Sequence, residues 1–133
     1  MSHRYVEHVG EVELALEAPS QAELFSEATA AFRELVEGSG CRQPEPLSHD
    51  VSLGPADPPR LLADWIDELV FLAEVDAFVP HRIAAIELTG DRLHATVAGA
   101  RGRPRHLVKG ATLHELELSR KGEVWHAHVV LDV

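Results

Sequence analysis

Val12, Leu14, Leu16 and Ala18 alternate with Glu11, Glu13, Ala15 and Glu17, a period of two that gives a strand one apolar and one acidic face. The spacing predicts extended chain over residues 4 to 18, stopped by Pro19-Ser20. Ser20 with Glu23 three residues later is a capping-box pattern. It stands before Leu24, Phe25, Ala28, Ala31, Phe32, Leu35 and Val36, a helical stripe that ends at Gly38. Turn residues predict a loop over 38 to 46, then a strand over 47 to 53 closed by Gly54-Pro55. Asp57 reads as an N-cap, with Pro58 and Pro59 in the first turn, where a missing N–H does no harm. Leu61, Leu62, Trp65, Ile66, Leu69, Val70 and Ala73 then share one helix face, and Asp64, Asp67 and Glu68 occupy the solvated side.

After Pro80 come extended runs near 82 to 88, 91 to 99 and 107 to 118, and a last strand over 123 to 132. Thr89-Gly90-Asp91 and Lys121-Gly122 supply the turns. Helices early and strands together late predict an α+β class: a single domain of 133 residues with two amphipathic helices packed on largely antiparallel sheet.

Charge changes this picture. Lysine and arginine number 12 against 22 aspartates and glutamates, a net charge of −10, which would repel a phosphate backbone. Autonomous nucleic-acid binding is not expected. Cys41 is the single cysteine, so intramolecular disulfides and cysteine-cluster zinc sites are excluded, which fits a reducing compartment. The opening residues carry no apolar leader and no run approaches a membrane span, so a cytoplasmic protein without membrane contact is expected.

Motifs for nucleophile elbows, phosphate-cradling loops and zinc-protease helices are absent, which removes the common hydrolase and nucleotide-binding classes. His126-x-His128 lies on a strand, where alternate residues share a face, so both imidazoles and the Asp132 carboxylate have the composition of a metal set. Polar residues on an exposed strand face are the simpler reading. His3, His49, His81 and His94 read as scattered surface groups. The segment Gly99 to His106 reads as a loop whose charges, Arg101, Arg103 and Arg105, are all cations, followed by Lys109. It is either a solubilising loop or a contact for an anionic partner. Leu131-Asp132-Val133 ends an apolar strand on a carboxylate, unlike the polar fraying usual at chain ends.

Together these segments resemble the archease family, small protein cofactors of RtcB-type RNA-splicing ligases. Tyr5-Val6-Glu7-His8-Val9-Gly10-Glu11 resembles the family's opening EHTAD segment, and Ala22 to Phe32 its first helix. Leu61 to Leu72 resembles its second helix, Val108-Lys109-Gly110-Ala111-Thr112-Leu113-His114 its VKAxTxH strand, and Val130-Leu131-Asp132-Val133 its ILDV terminus. The resemblance implies an α+β protein with no reaction of its own, which helps the ligase become guanylylated and turn over repeatedly in tRNA splicing and RNA repair. It implies a divalent cation, Ca²⁺, Mg²⁺ or Mn²⁺, held by Glu11, Asp132 and a main-chain oxygen of Val133. Lys109 and His114 fall in the family's lysine strand, and with Arg101, Arg103 and Arg105 they are the expected partner contacts. RNA would be met only through the ligase. Here Val9-Gly10-Glu11 replaces the family's Thr-Ala-Asp, so the ligand is one methylene longer and a hydroxyl is absent. Two other roles fit the same chain: a chaperone-like or general protein-binding module without the metal site, and a metal-dependent hydrolase using His126, His128 and Asp132.

Overall fold

The computed structural model describes residues 1–37 and 47–133; the loop expected over 38 to 46, with Cys41, lies outside the described residues. The element order is β1 (Ser2–His8), β2 (Glu11–Ala18), α1 (Gln21–Glu37), β3 (Leu47–Leu53), α2 (Pro58–Glu74), β4 (Phe78–Thr89), β5 (Arg92–Arg101), β6 (Gly110–Lys121) and β7 (Val124–Asp132). Among the described residues all pairings are antiparallel. They build a four-stranded sheet in the order β1-β2-β7-β6 and a three-stranded sheet in the order β3-β5-β4.

The expected extended run over 4 to 18 is a hairpin. The chain turns at Val9-Gly10, with Gly10 at φ 78°, a value that glycine adopts without a Cβ penalty. Val9 stands fully exposed at the tip. An apolar Val between two alternating runs conceals that turn in the sequence.

The helices form for local reasons that the sequence states. Glu23 N–H donates to Ser20 Oγ at 3.2 Å while the Ser20 hydroxyl donates to the Glu23 carboxylate at 2.9 Å. Arg60 N–H donates to Asp57 Oδ1 at 3.2 Å, with Pro58 and Pro59 just inside the helix. α1 packs on β2 and β4, and α2 on β6 and β4, so both helices touch both sheets. Phe25, Phe32, Trp65 and Phe78 are fully buried where these surfaces meet.

Pro80 does not precede the strands but lies inside β4. β4 is an edge strand, where a missing N–H leaves no ladder bond open, and its register with β5 shifts between Pro80 and Arg82. The first half of β4 runs beneath α1, and this buries His81, expected at the surface, to 3% exposure. Its Nε2 lies 3.8 Å from the Glu37 carboxylate of α1. His49 sets its ring edge against Phe78 at 4.5 Å between centroids, and His94 Nδ1 is 2.7 Å from Ser52 Oγ. The cationic loop is also shorter than expected, because Gly99, Ala100 and Arg101 belong to β5.

Candidate functional site

The alternating pattern of β2 sends Val12, Leu14 and Leu16 into the core and leaves Glu11 and Glu13 on the outer face. In the register of β2 with β7, Glu11 is the direct partner of Asp132. Directly paired residues point to the same face of a sheet, so the two exposed carboxylates stand side by side. Two main-chain bonds fix this end of β7. Val133 N–H donates to the Gly10 carbonyl at 3.0 Å, and Lys109 N–H donates to the Asp132 carbonyl at 2.7 Å. Lys109 is exposed and immediately precedes β6, whose Gly110 is the other partner of Asp132. Glu11, Asp132, Val133 and Lys109 are thus gathered from the first hairpin, the last strand and the start of β6.

The other expected contacts lie elsewhere. Gly102 N–H donates to the Ala77 carbonyl at 2.8 Å, and the amides of Arg105 and His106 donate to Val36 O at 2.7 and 3.1 Å. These bonds pin the loop to the end of α1 and to the turn between α2 and β4. Arg103 and Arg105 line a shallow hollow with Glu74 at the end of α2, and Arg101 sits at the end of β5 opposite Phe78. None of the three lines the cleft of about 690 Å³ beside Glu11, which is bordered by Tyr5, Leu35, His106, Leu107 and Val133. His114 is exposed in an irregular stretch of β6, where pairing with β7 is interrupted between Thr112 and Glu117.

His126, His128 and Asp132 do not form one cluster. Asp132 lies four positions beyond His128 on one strand, about 13 Å at the usual rise per residue. His128 meets Glu13 and Glu115 instead. Its Nε2 is 3.3 Å from Glu13 Oε1, and its Nδ1–H donates to the main-chain carbonyl of Glu115 at 3.0 Å. His8 Nε2 is 2.6 Å from the other oxygen of Glu13. The His8 hydrogen bond holds the Glu13 carboxyl below the usual carboxylate range, with His128 adding to it against partial desolvation.

Two sets of polar contacts, around Asp67 and around His3, are not foreseen from the sequence. Asp67, exposed on the outer side of α2 as expected, also accepts the Ala111 N–H at 2.8 Å and ties α2 to β6 two residues beyond Lys109. Burial pushes its carboxyl pKa up, partly offset by that amide. His3 is not a free surface group: Nδ1 lies 2.5 Å from Glu27 and Nε2 2.7 Å from Glu34, both on α1. Tyr5 also donates its hydroxyl to Glu34.

A family model, that of the Archease protein family (MTH1598/TM1083), matches residues 3–133. The protein archease of Methanosarcina acetivorans is 26% identical over 140 residues, covering 98% of this chain and 95% of its own. That of Pyrobaculum calidifontis is 29% identical over 141 residues, covering 99% and 95%. Among solved structures, an archease of Thermotoga maritima described as a possible chaperone superposes with a TM-score of 0.69 at 22% identity, covering 100% of this chain and 98% of its own. Protein 1598 of Methanobacterium thermoautotrophicum superposes with a TM-score of 0.74 at 23% identity, covering 98% of each chain. These two establish likeness of fold.

Proposed function

The chain belongs to the archease family, and from that premise we propose that it is a non-catalytic activator of an RtcB-type RNA ligase. In this reading it promotes ligase guanylylation and multiple turnover in tRNA splicing and RNA repair, in the cytoplasm. The observation that carries the reading is the pairing of Glu11 with Asp132 beside the main chain of Lys109 and Val133. A hard divalent cation, Ca²⁺, Mg²⁺ or Mn²⁺, takes clustered carboxylate and carbonyl oxygens. The donor set fits it. Asp132 spends its own carbonyl on Lys109, which leaves the Glu11 and Asp132 carboxylates and a Val133 main-chain oxygen as ligands. The extra methylene of Glu11 lengthens reach without changing donor type. The cation would neutralise two like charges held side by side and offer an open coordination position toward the partner. Lys109, exposed next to it, would pair with a ligase carboxylate or a nucleotide phosphate.

The test is RNA ligation by the ligase of the same organism, with and without this protein, read as product per ligase over many turnovers. Acceleration that Asp132→Ala and Lys109→Ala abolish supports the reading; no acceleration by folded protein overturns it. A second reading, a chaperone-like or general protein-binding module, is favoured by the description of the Thermotoga relative and by the largely apolar cleft beside Glu11. Binding of proteins other than a ligase, insensitive to Asp132→Ala, would bring it forward.

A further inference from the structure

We propose a second metal site on the outer face of the four-stranded sheet, a zinc-type site formed by Glu13, His128 and Glu115, separate from the all-oxygen pair at Glu11 and Asp132. One ligand atom from each of the three residues lies within 4.8 Å of the other two. The arrangement of His128 is that of a metal-ligating imidazole. A carbonyl only accepts, so the 3.0 Å contact with Glu115 O puts a proton on Nδ1 and leaves Nε2 as the nitrogen available to a metal. Nε2 lies 3.3 Å from a Glu13 oxygen, an ion-pair contact in the protonated ring and a separation at which a metal ion can take that proton's place between the two atoms. Zinc bonds of about 2.0–2.1 Å to nitrogen and 2.0–2.2 Å to oxygen place neighbouring ligands of a tetrahedron about 3.4 Å apart. The observed separation is that edge.

The surroundings complete the site. His8, 2.6 Å from the second Glu13 oxygen, orients the carboxylate from outside, as the partners of metal-bound carboxylates do. Glu115 comes within reach because the irregular stretch of β6 turns it toward β7, with φ of 56°. Three protein ligands leave one position for water or for a partner's side chain. An imidazole in the set selects a transition ion over Ca²⁺ or Mg²⁺. Glu13 lies two residues from Glu11 on the same strand, about 7 Å along it, so the two sites are neighbours with different metal preferences.

The experiment is a titration of tag-free, chelator-treated protein with Zn²⁺ by calorimetry and with Co²⁺ by its visible d–d absorption, in the presence of excess Mg²⁺. One ion per chain is expected, with a tetrahedral cobalt spectrum. His128→Gln and Glu13→Gln should each weaken binding by about 10–100-fold or more, the range that loss of even an outer partner causes. Asp132→Ala should leave it unchanged, whereas ligase activation in the same preparations reports on the carboxylate pair alone. All three substituted side chains are at least partly exposed, so folded variants are expected, and circular dichroism checks this. Absence of zinc binding, binding retained in both Gln variants, or binding lost in Asp132→Ala would each overturn the proposal.

Discussion

The indole N–H of Trp65 donates to the hydroxyl of Thr29 at 2.9 Å inside the core, and that hydroxyl donates in turn to the Phe25 carbonyl at 2.8 Å. Trp65 and Thr29 are both fully buried, so this chain of two bonds is what allows an indole to sit between α1 and α2. Thr29→Val keeps the shape and removes the acceptor. A buried donor left unpaired costs about 1–3 kcal/mol. We expect that loss in urea unfolding, and near wild-type stability for Thr29→Ser. Equal stability of the Val variant would show that the indole finds another acceptor.

His3 gives the fold a pH dependence with a definite sign. Burial disfavours its charged form, but the hydrogen bonds and charges of Glu34 and Glu27 outweigh it, and its pKa is raised above 6.5. The contribution is therefore complete below pH 6.5 and is lost as pH rises through the folded-state value. Glu34, bonded by Tyr5 and His3 against some desolvation, is shifted below 4.5, so its contribution is present above that pH and lost on acidification. The group supports β1 on α1 best between these limits. Denaturation midpoints compared at mildly acid and mildly alkaline pH should show a smaller difference in His3→Gln than in the parent protein.

Asp67 links helix α2 to the strand that follows Lys109, and two substitutions separate its charge from its hydrogen bond. Asp67→Asn keeps an acceptor for Ala111 N–H and removes a carboxylate whose ionised form burial disfavours. Its raised pKa means that folding disfavours ionisation, so stability is withdrawn as pH rises through the folded value. The Asn variant should match or exceed the parent near pH 7. Asp67→Ala should lose about 0.5–1.5 kcal/mol, the net worth of an ordinary hydrogen bond. Amide exchange at Ala111 should accelerate in the Ala variant alone.

Gly99 pairs with Leu47 on one side and Pro80 on the other. A Cβ there would lie 2.2 Å from the Val79 carbonyl oxygen and 2.8 Å from the Phe78 ring. Backbone cannot yield as a side chain can, so Gly99→Ala must push β4 from β5. We expect a loss of about 1–3 kcal/mol or more, the scale of overpacking a well-filled core. An unchanged thermal midpoint would show that the two strands separate without cost.

The helices were legible because their signals are local: Ser20 with Glu23, Asp57 with its prolines, and stripes that the structure buries nearly residue for residue. The hairpin at Gly10 and the passage of β4 through Pro80 were not, since each depends on what lies alongside. His81 illustrates the reason. Nothing near it in sequence says that α1 will cover its half of β4. The pair Glu11 and Asp132 was reached through resemblance of the chain's two ends, whereas Glu13 with His128 and Glu115 needed the β2–β7 register and the break in β6. Neither is written within one segment.

The place of β7 between β2 and β6 has a consequence for how the surface comes into being. More than a hundred residues of chain separate Glu11 from Asp132, and closing so long a loop is slow. Before β7 pairs, the first hairpin and β6 have no common neighbour, and neither the carboxylate pair nor the Lys109 amide bond exists. A partner of the proposed kind, reading those groups, would therefore read completion: it would engage only chains in which β7 has already joined the sheet.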